Sequence, residues 1–234
     1  MNPDPRAFLT TRWTRVRAAC EESDSGRAAL SELCAAYYEP VLAFLRASTR
    51  DPDGARDLAH AFFAALLAGQ GLAAASPEHG RFRSYLLGAA KHFLLNQRAA
   101  ARRLKRGGGA EHLPLEDDAL AASGQGRTPE REFDRQWALT LIARALDALR
   151  AECEADGRVD FFERAKPWLT GEAGHGDQAS LASDLGLTPD ALKMAIHRLK
   201  RRFRARVKDE VSGTLCEPAD IDEEMRGLFA ALAD

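Results

Sequence analysis

Apolar residues recur three and four positions apart along almost the whole chain, and no run alternates apolar with polar long enough to make a strand; the pattern dictates an all-α fold. Leu30, Leu33, Cys34, Tyr37, Tyr38, Val41 and Leu45 form one stripe, which Pro40 should kink without ending. Ala55, Leu58, Ala59, Phe62, Phe63, Leu66 and Leu67 form the next, opened by Asp51-Pro52 as N-cap and first-turn proline and closed by Gly69-Gln70-Gly71. Phe82, Tyr85, Leu86, Ala89, Ala90, Phe93 and Leu94 mark a third, running on into basic sequence as far as Gly107-Gly108-Gly109. A helix from about Pro129 to Glu154 follows, where Phe133, Trp137, Leu141, Ala145 and Leu149 recur every four residues. Val159, Phe161, Phe162, Ala165, Trp168 and Leu169 make a further element, interrupted by Pro167.

Residues 107–128 combine glycines with Pro114, Ser123, Thr128 and the acidic run Glu116-Asp117-Asp118, a composition that cannot pack and predicts a flexible linker. A chain of 234 residues can bury two ordinary cores, so the expected organisation is a domain over 1–106, the linker over 107–128, a second domain over 129–212 and a C-terminal tail over 213–234. Cys20, Cys34, Cys153 and Cys216 lie far apart with no CxxC pair, and the six histidines are scattered with no HExxH, which predicts neither a disulfide framework nor a metal site. No nucleophile–base constellation or phosphate-cradling loop is present, so neither catalysis nor a cofactor is expected. The longest apolar runs, such as Ala59–Ala68, are far shorter than a membrane span, and Asp4 and Arg6 precede no signal-peptide core; the expectation is a cytoplasmic protein without membrane insertion.

The formal net charge of -2 conceals a segregation of sign. Arg81, Arg83, Lys91, Arg98, Arg102, Arg103, Lys105 and Arg106 fall in a stretch with no acid, and so do Lys193, Arg198, Lys200, Arg201, Arg202, Arg204, Arg206 and Lys208. Beyond residue 208 the sign reverses, with eight acids against Arg226 alone.

Leading into the second basic stretch lies a short helix, a tight turn and a second helix, from Gln178 to Arg206. Ala182 is small enough for close crossing, Gly186 permits a left-handed turn, and Leu181, Leu185, Leu187 and Leu192 are expected to fill the joint core. Thr188-Pro189 caps and starts the second helix. With Leu192, Ile196, Leu199 and Phe203 facing inward, Lys193, His197, Arg201 and Arg204 form an outer stripe flanked by Asp190, Met194 and Arg198. This is a helix-turn-helix pattern whose second helix would meet a major groove, early residues reaching base edges and later cations gripping phosphates. A helical hairpin with a merely solvated basic face is the competing possibility.

Those residues resemble region 4 of the extracytoplasmic-function (ECF) group of bacterial RNA polymerase sigma factors, in the sigma-70 family, with its "LAxxLGLTxxALKxAxHRLRRRxR" texture. Asp53-Gly-Ala55-Arg-Asp57-Leu58-Ala-His60-Ala-Phe62-Phe63 resembles the "DAEDLxQExF" helix of region 2, and Phe82-Arg83-Ser-Tyr85-Leu86-Leu-Gly-Ala89-Ala90-Lys91-His92 resembles its "FRxWLxxIARN" helix. The likeness extends to about Val211 and departs at His60 and Ala61, where the family has Gln and Glu, at His92 and Asn96, and before the turn, where Phe161-Phe162-Glu163-Arg164 and Trp168 stand in place of "LPxxxRxxxxL".

The resemblance implies a promoter-specificity factor with core RNA polymerase and promoter DNA as partners, and an anti-sigma protein as a further partner such factors can have. Asp57, His60 and Arg56 would dock on the β′ clamp, the helix beginning at Phe82 would lie beside the downstream promoter element, and Arg98, Arg102, Arg103 and Arg106 would contact phosphates. The loop at about Leu72–Arg81 would accept an extruded base, with Phe82 and Tyr85 as aromatic candidates that are at least as well explained as core. A stand-alone helix-turn-helix regulator is the alternative. In the tail, Ile221, Met225, Leu228, Phe229 and Leu232 predict a short amphipathic helix, expected either to dock on the second domain and compete with DNA or to complete that domain's core.

Overall fold

A computed structural model of the chain describes Val16, Ala19, Asp51 and residues 23–49, 53–68, 81–105, 127–172, 177–212 and 221–233. Among these residues all regular structure is helical: α1 (Asp24–Ser48), α2 (Gly54–Ala68), α3 (Phe82–Lys105), α4 (Pro129–Ala155), α5 (Val159–Ala165), α6 (Pro167–Thr170), α7 (Asp177–Asp184), α8 (Pro189–Ser212) and α9 (Ile221–Ala233). Short polar side chains start them. Ser23 Oγ accepts from the Gly26 amide at 3.0 Å, Asp51 Oδ1 accepts from the amides of Asp53 and Gly54 at 3.1 Å, and Thr128 Oγ1 accepts from the Arg131 amide at 3.3 Å. Pro40 lies inside α1, which runs on to Ser48.

The chain divides into two compact units, Met1–Thr140 with Ser212–Asp234, and Leu141–Val211. In the first, Tyr37, Phe44 and Leu45 of α1, Ala59 and Phe62 of α2, and Phe82, Leu86, Ala90 and Leu94 of α3 are buried. Ring edges lock the three helices together, Tyr37 against Phe82 at 5.2 Å and Phe62 against Phe93 at 5.6 Å. Leu67, expected in this core, is 43% exposed. By length and composition α1 could cross a membrane, but half of that window is buried inside the protein.

The border between the two compact units falls inside α4, between Thr140 and Leu141; of the expected linker 107–128, all but Arg127 and Thr128 lie outside the described residues. In the first unit the start of α4 meets α3, through Glu130 to Lys91 at 2.8 Å and Asp134 to Arg83, and in the second unit the end of α4 joins that unit's core. There Leu149 and Cys153 pack with Phe162, Ala165, Leu181, Ala182, Leu192, Ile196 and Leu199. Leu149 and Leu192 are fully buried, each contributing about 2 kcal/mol of apolar transfer free energy.

The C-terminal helix does not take the seat expected for it. α9 belongs to the first unit, where Leu228 and the carboxylate of Glu224 are both fully buried. Arg81 and Arg83, at the start of α3, receive its acids. The physical reason is desolvation: these two guanidinium groups sit at 28% and 13% side-chain exposure and hold a carboxylate in a dry site, whereas the basic stripe of α8 is open to water.

Candidate nucleic-acid interface

The second unit presents α7 and α8 joined by a turn whose hydrogen bonds account for each of its residues. The Gly186 amide donates to the Ser183 carbonyl at 3.1 Å and the Leu187 amide to the Ala182 carbonyl at 2.9 Å, the paired closure that requires a left-handed residue between them. Gly186 supplies it with φ 63°. Thr188 Oγ1 then accepts from the Ala191 amide at 3.2 Å and Pro189 occupies the first turn of α8. Leu181, Ala182 and Leu192 are buried as expected, while Leu185 is half-buried and Leu187, expected in the core, is 38% exposed.

On α8 the inward positions are Leu192, Ala195, Ile196, Leu199, Val207 and Val211. That leaves Asp190, Lys193, Met194, His197, Arg198, Arg201 and Arg204 all exposed, with Met194 at 54%. A large apolar side chain among cations on an open helix face is fit to touch a base methyl or edge while its neighbours bind phosphate oxygens. Not every cation of α8 is free to do so. Arg202 bonds Glu152 at 3.0 Å and Asp156 at 3.1 Å, Arg206 bonds Glu152 and Asp209, and Arg144 of α4 bonds Glu210 at 3.1 Å. Burial works against the charge on Arg202, but the Glu152 bond and its neighbours hold the guanidinium above its ordinary value. Apart from Arg206–Asp209, which lies within α8, these pairs fasten α8 to α4. Arg164 bonds Asp184 at 2.6 Å, and Arg150 bonds Glu163 at 2.6 Å, fixing α5 against α7 and α4.

No protein family, curated protein or solved structure matches the chain.

In the first unit Arg56, Asp57 and His60 all lie on the exposed side of α2. His60 Nε2 is hydrogen-bonded to the Tyr38 hydroxyl at 2.9 Å and the two rings stack at 5.6 Å, so this imidazole is held in place by α1. On α3, Arg102 and Arg103 are exposed. Arg98 is half-buried and donates through Nη2 to the Ser48 carbonyl at 2.5 Å, closing the C-terminal end of α1. Arg106 and most of the Leu72–Arg81 loop lie outside the described residues, as do Cys20 and Cys216. Phe82 is 1% exposed and belongs to the core, which removes it as a base-contacting side chain; Tyr85 is half-buried, and burial raises its hydroxyl above the ordinary range. Among the described residues no group of three or more His, Cys, Asp or Glu side chains is placed to hold a metal ion.

An ion cluster that the linear pattern did not assemble sits at the start of α3. Arg83 Nε donates to Glu224 Oε1 at 2.6 Å and Nη2 to Oε2 at 3.2 Å, while its Nη1 meets Asp134 and its guanidinium lies 4.5 Å from the Trp137 ring centroid. Arg81 adds bonds to Glu224 at 3.0 Å and Glu223 at 2.8 Å. Burial opposes the charge on Arg83, but the Glu224 bond and the Glu224 and Asp134 charges outweigh it and raise its pKa. The sign reversal between residues 81–106 and the tail was the signal for this pairing; which basic stretch the tail would choose was not in it.

Proposed function

We propose that this chain is an alternative sigma factor of the ECF type, which binds core RNA polymerase and directs promoter-specific initiation. The observation that carries the proposal is the open outer stripe of α8 after a glycine-closed turn, on residues that resemble region 4 of that group. On this reading α7, the turn and α8 are a helix-turn-helix. Asp190, Lys193, Met194 and His197 read base edges of the upstream promoter element, and Arg198, Arg201 and Arg204 grip phosphates. Arg56, Asp57 and His60 on α2 dock on the polymerase clamp, and Arg102 and Arg103 on α3 hold phosphates near the downstream element. The chemistry belongs to the polymerase; this chain contributes position, so it is not itself an enzyme. Its place of action is the cytoplasm, with promoter DNA and core polymerase as partners.

The test is co-purification with core polymerase followed by run-off transcription on genomic fragments. A set of transcripts absent without the chain supports the proposal. Binding of discrete DNA sites by the chain alone, with no polymerase binding and no transcripts, identifies a stand-alone regulator instead.

A further inference from the structure

Glu224 lies in a site built for an anion. Its carboxylate takes two guanidinium N–H groups in a fork from Arg83, is ion-paired with Arg81 Nε at 3.0 Å, and is fully buried. A fork of this kind, with a second guanidinium beside it, fits two oxygens of a phosphodiester as well as two of a carboxylate. The fork does not depend on α9 for its shape. Arg83 is held from the other side by Asp134 and by the Trp137 ring, both on α4. With α9 seated, Glu223, Glu224 and Asp134 outnumber the two arginines; without it, the arginines outnumber Asp134 and extend the acid-free surface of α3.

The attachment of α9 is slight. Of its thirteen residues only Glu224 and Leu228 are buried, and Phe229 is 57% exposed. A helix this short is marginal without its contacts, so losing the arginine site removes much of what keeps it in place. Its attachment to α8 within the same chain keeps it at high local concentration, which makes it an effective competitor while remaining displaceable.

We propose that Arg81 and Arg83 form a phosphate clamp which α9 and the backbone of DNA occupy in turn, so that α9 is a displaceable strap over a DNA-binding surface of the first unit. This rests on the chain being a DNA-binding protein.

Two measurements on the full chain test it. Hydrogen exchange of the unmodified protein, with and without saturating random-sequence duplex DNA, should show the α9 amides losing protection when DNA binds; unchanged protection with DNA bound overturns the proposal. In the second, E223Q/E224Q should bind the same duplex about tenfold more tightly at low salt, the gain shrinking as salt is added. Adding R83Q to that variant should abolish the gain. Affinity equal to or weaker than the parent's, in a variant that keeps its helical spectrum, overturns the proposal and leaves α9 as a structural fastening. Should E224Q compromise folding, E223Q alone removes only an exposed partner of Arg81 and should give a smaller gain of the same sign; no gain counts against the clamp. Core-polymerase binding and run-off transcription are read separately. A DNA gain without transcription retains the clamp and rejects the sigma-factor reading, and transcription without a DNA gain does the reverse.

Discussion

Arg98 and Arg103 look alike in sequence, two cations five residues apart in an acid-free run, but they meet different surroundings. Arg98 closes the end of α1 through the Ser48 carbonyl, whereas Arg103 is exposed. Arg98→Met should therefore lower stability by about 1–2 kcal/mol, measured by denaturant unfolding, because a buried carbonyl loses its donor. Arg103→Ala should leave stability unchanged within about 0.5 kcal/mol and reduce the salt dependence of DNA binding. Two carboxylates of α4 make a similar contrast in pH. Burial pushes Glu130 up, but the Lys91 hydrogen bond, its own amide and the Lys91 charge outweigh it and hold its pKa below the ordinary value. Burial, with the Glu224 charge nearby, holds Asp134 above its ordinary value against the pull of Arg83. The contribution of Glu130 is complete above the ordinary glutamate range and is lost as pH falls through its depressed folded value. Asp134 behaves oppositely: its ionisation costs stability, a cost complete above its raised folded value and relieved on acidification. Carboxyl-carbon NMR titration should find the Glu130 midpoint below the ordinary range and that of Asp134 above it, and Lys91→Met should bring Glu130 back up.

At the scale of the element, glycines distinguish a turn from a helix interior. A Cβ at Gly186 or at Gly88 would meet nothing within 4 Å, so packing decides neither substitution. Backbone conformation does. Gly186 holds φ 63°, and Gly186→Ala should cost about 1 kcal/mol, with Gly186→Asn recovering part of it because asparagine tolerates the left-handed region. Gly88 lies inside α3, and Gly88→Ala should stabilise the chain by about 0.5–1 kcal/mol. Thermal unfolding of the three variants checks both signs; a stabilising Gly186→Ala would mean that the turn is not closed as described.

At the scale of the molecule, the proposed function assigns polymerase docking and upstream-element reading to separate surfaces, and substitutions should separate them. Asp57→Arg reverses an exposed charge on α2 without emptying a core position, so core-polymerase affinity should fall by at least about tenfold, the order typical when charge at an interface is reversed, with no change in thermal midpoint. Competition for core polymerase against the parent chain measures it, and equal competition would move the docking face elsewhere. Lys193→Ala, His197→Ala and Arg201→Ala should each weaken promoter binding by about 1–3 kcal/mol where the side chain reads a base, and equally on promoter and random DNA where it contacts phosphate. If none changes promoter selection, the reading surface is not this stripe.

The helices and their inward faces were legible in the sequence, because periodicity, Thr-Pro starts and the Gly186 turn act within one or two turns of chain. Trp137, Leu149 and Leu192 fall inward as their spacing requires. The exposed stripe of α8 was legible for the same reason, being what remains when the inward face is assigned. What only the tertiary structure decided is which charges meet. Arg83 with Glu224 is a contact across 141 positions, and nothing local says which acids Arg83 and Arg202 will meet. Cations that the sequence presents in its two basic stretches, Arg83, Arg98 and Arg202 among them, hold the protein's own oxygens. An ion pair forms where burial makes it strong, and burial belongs to the assembled helices, not to any one of them.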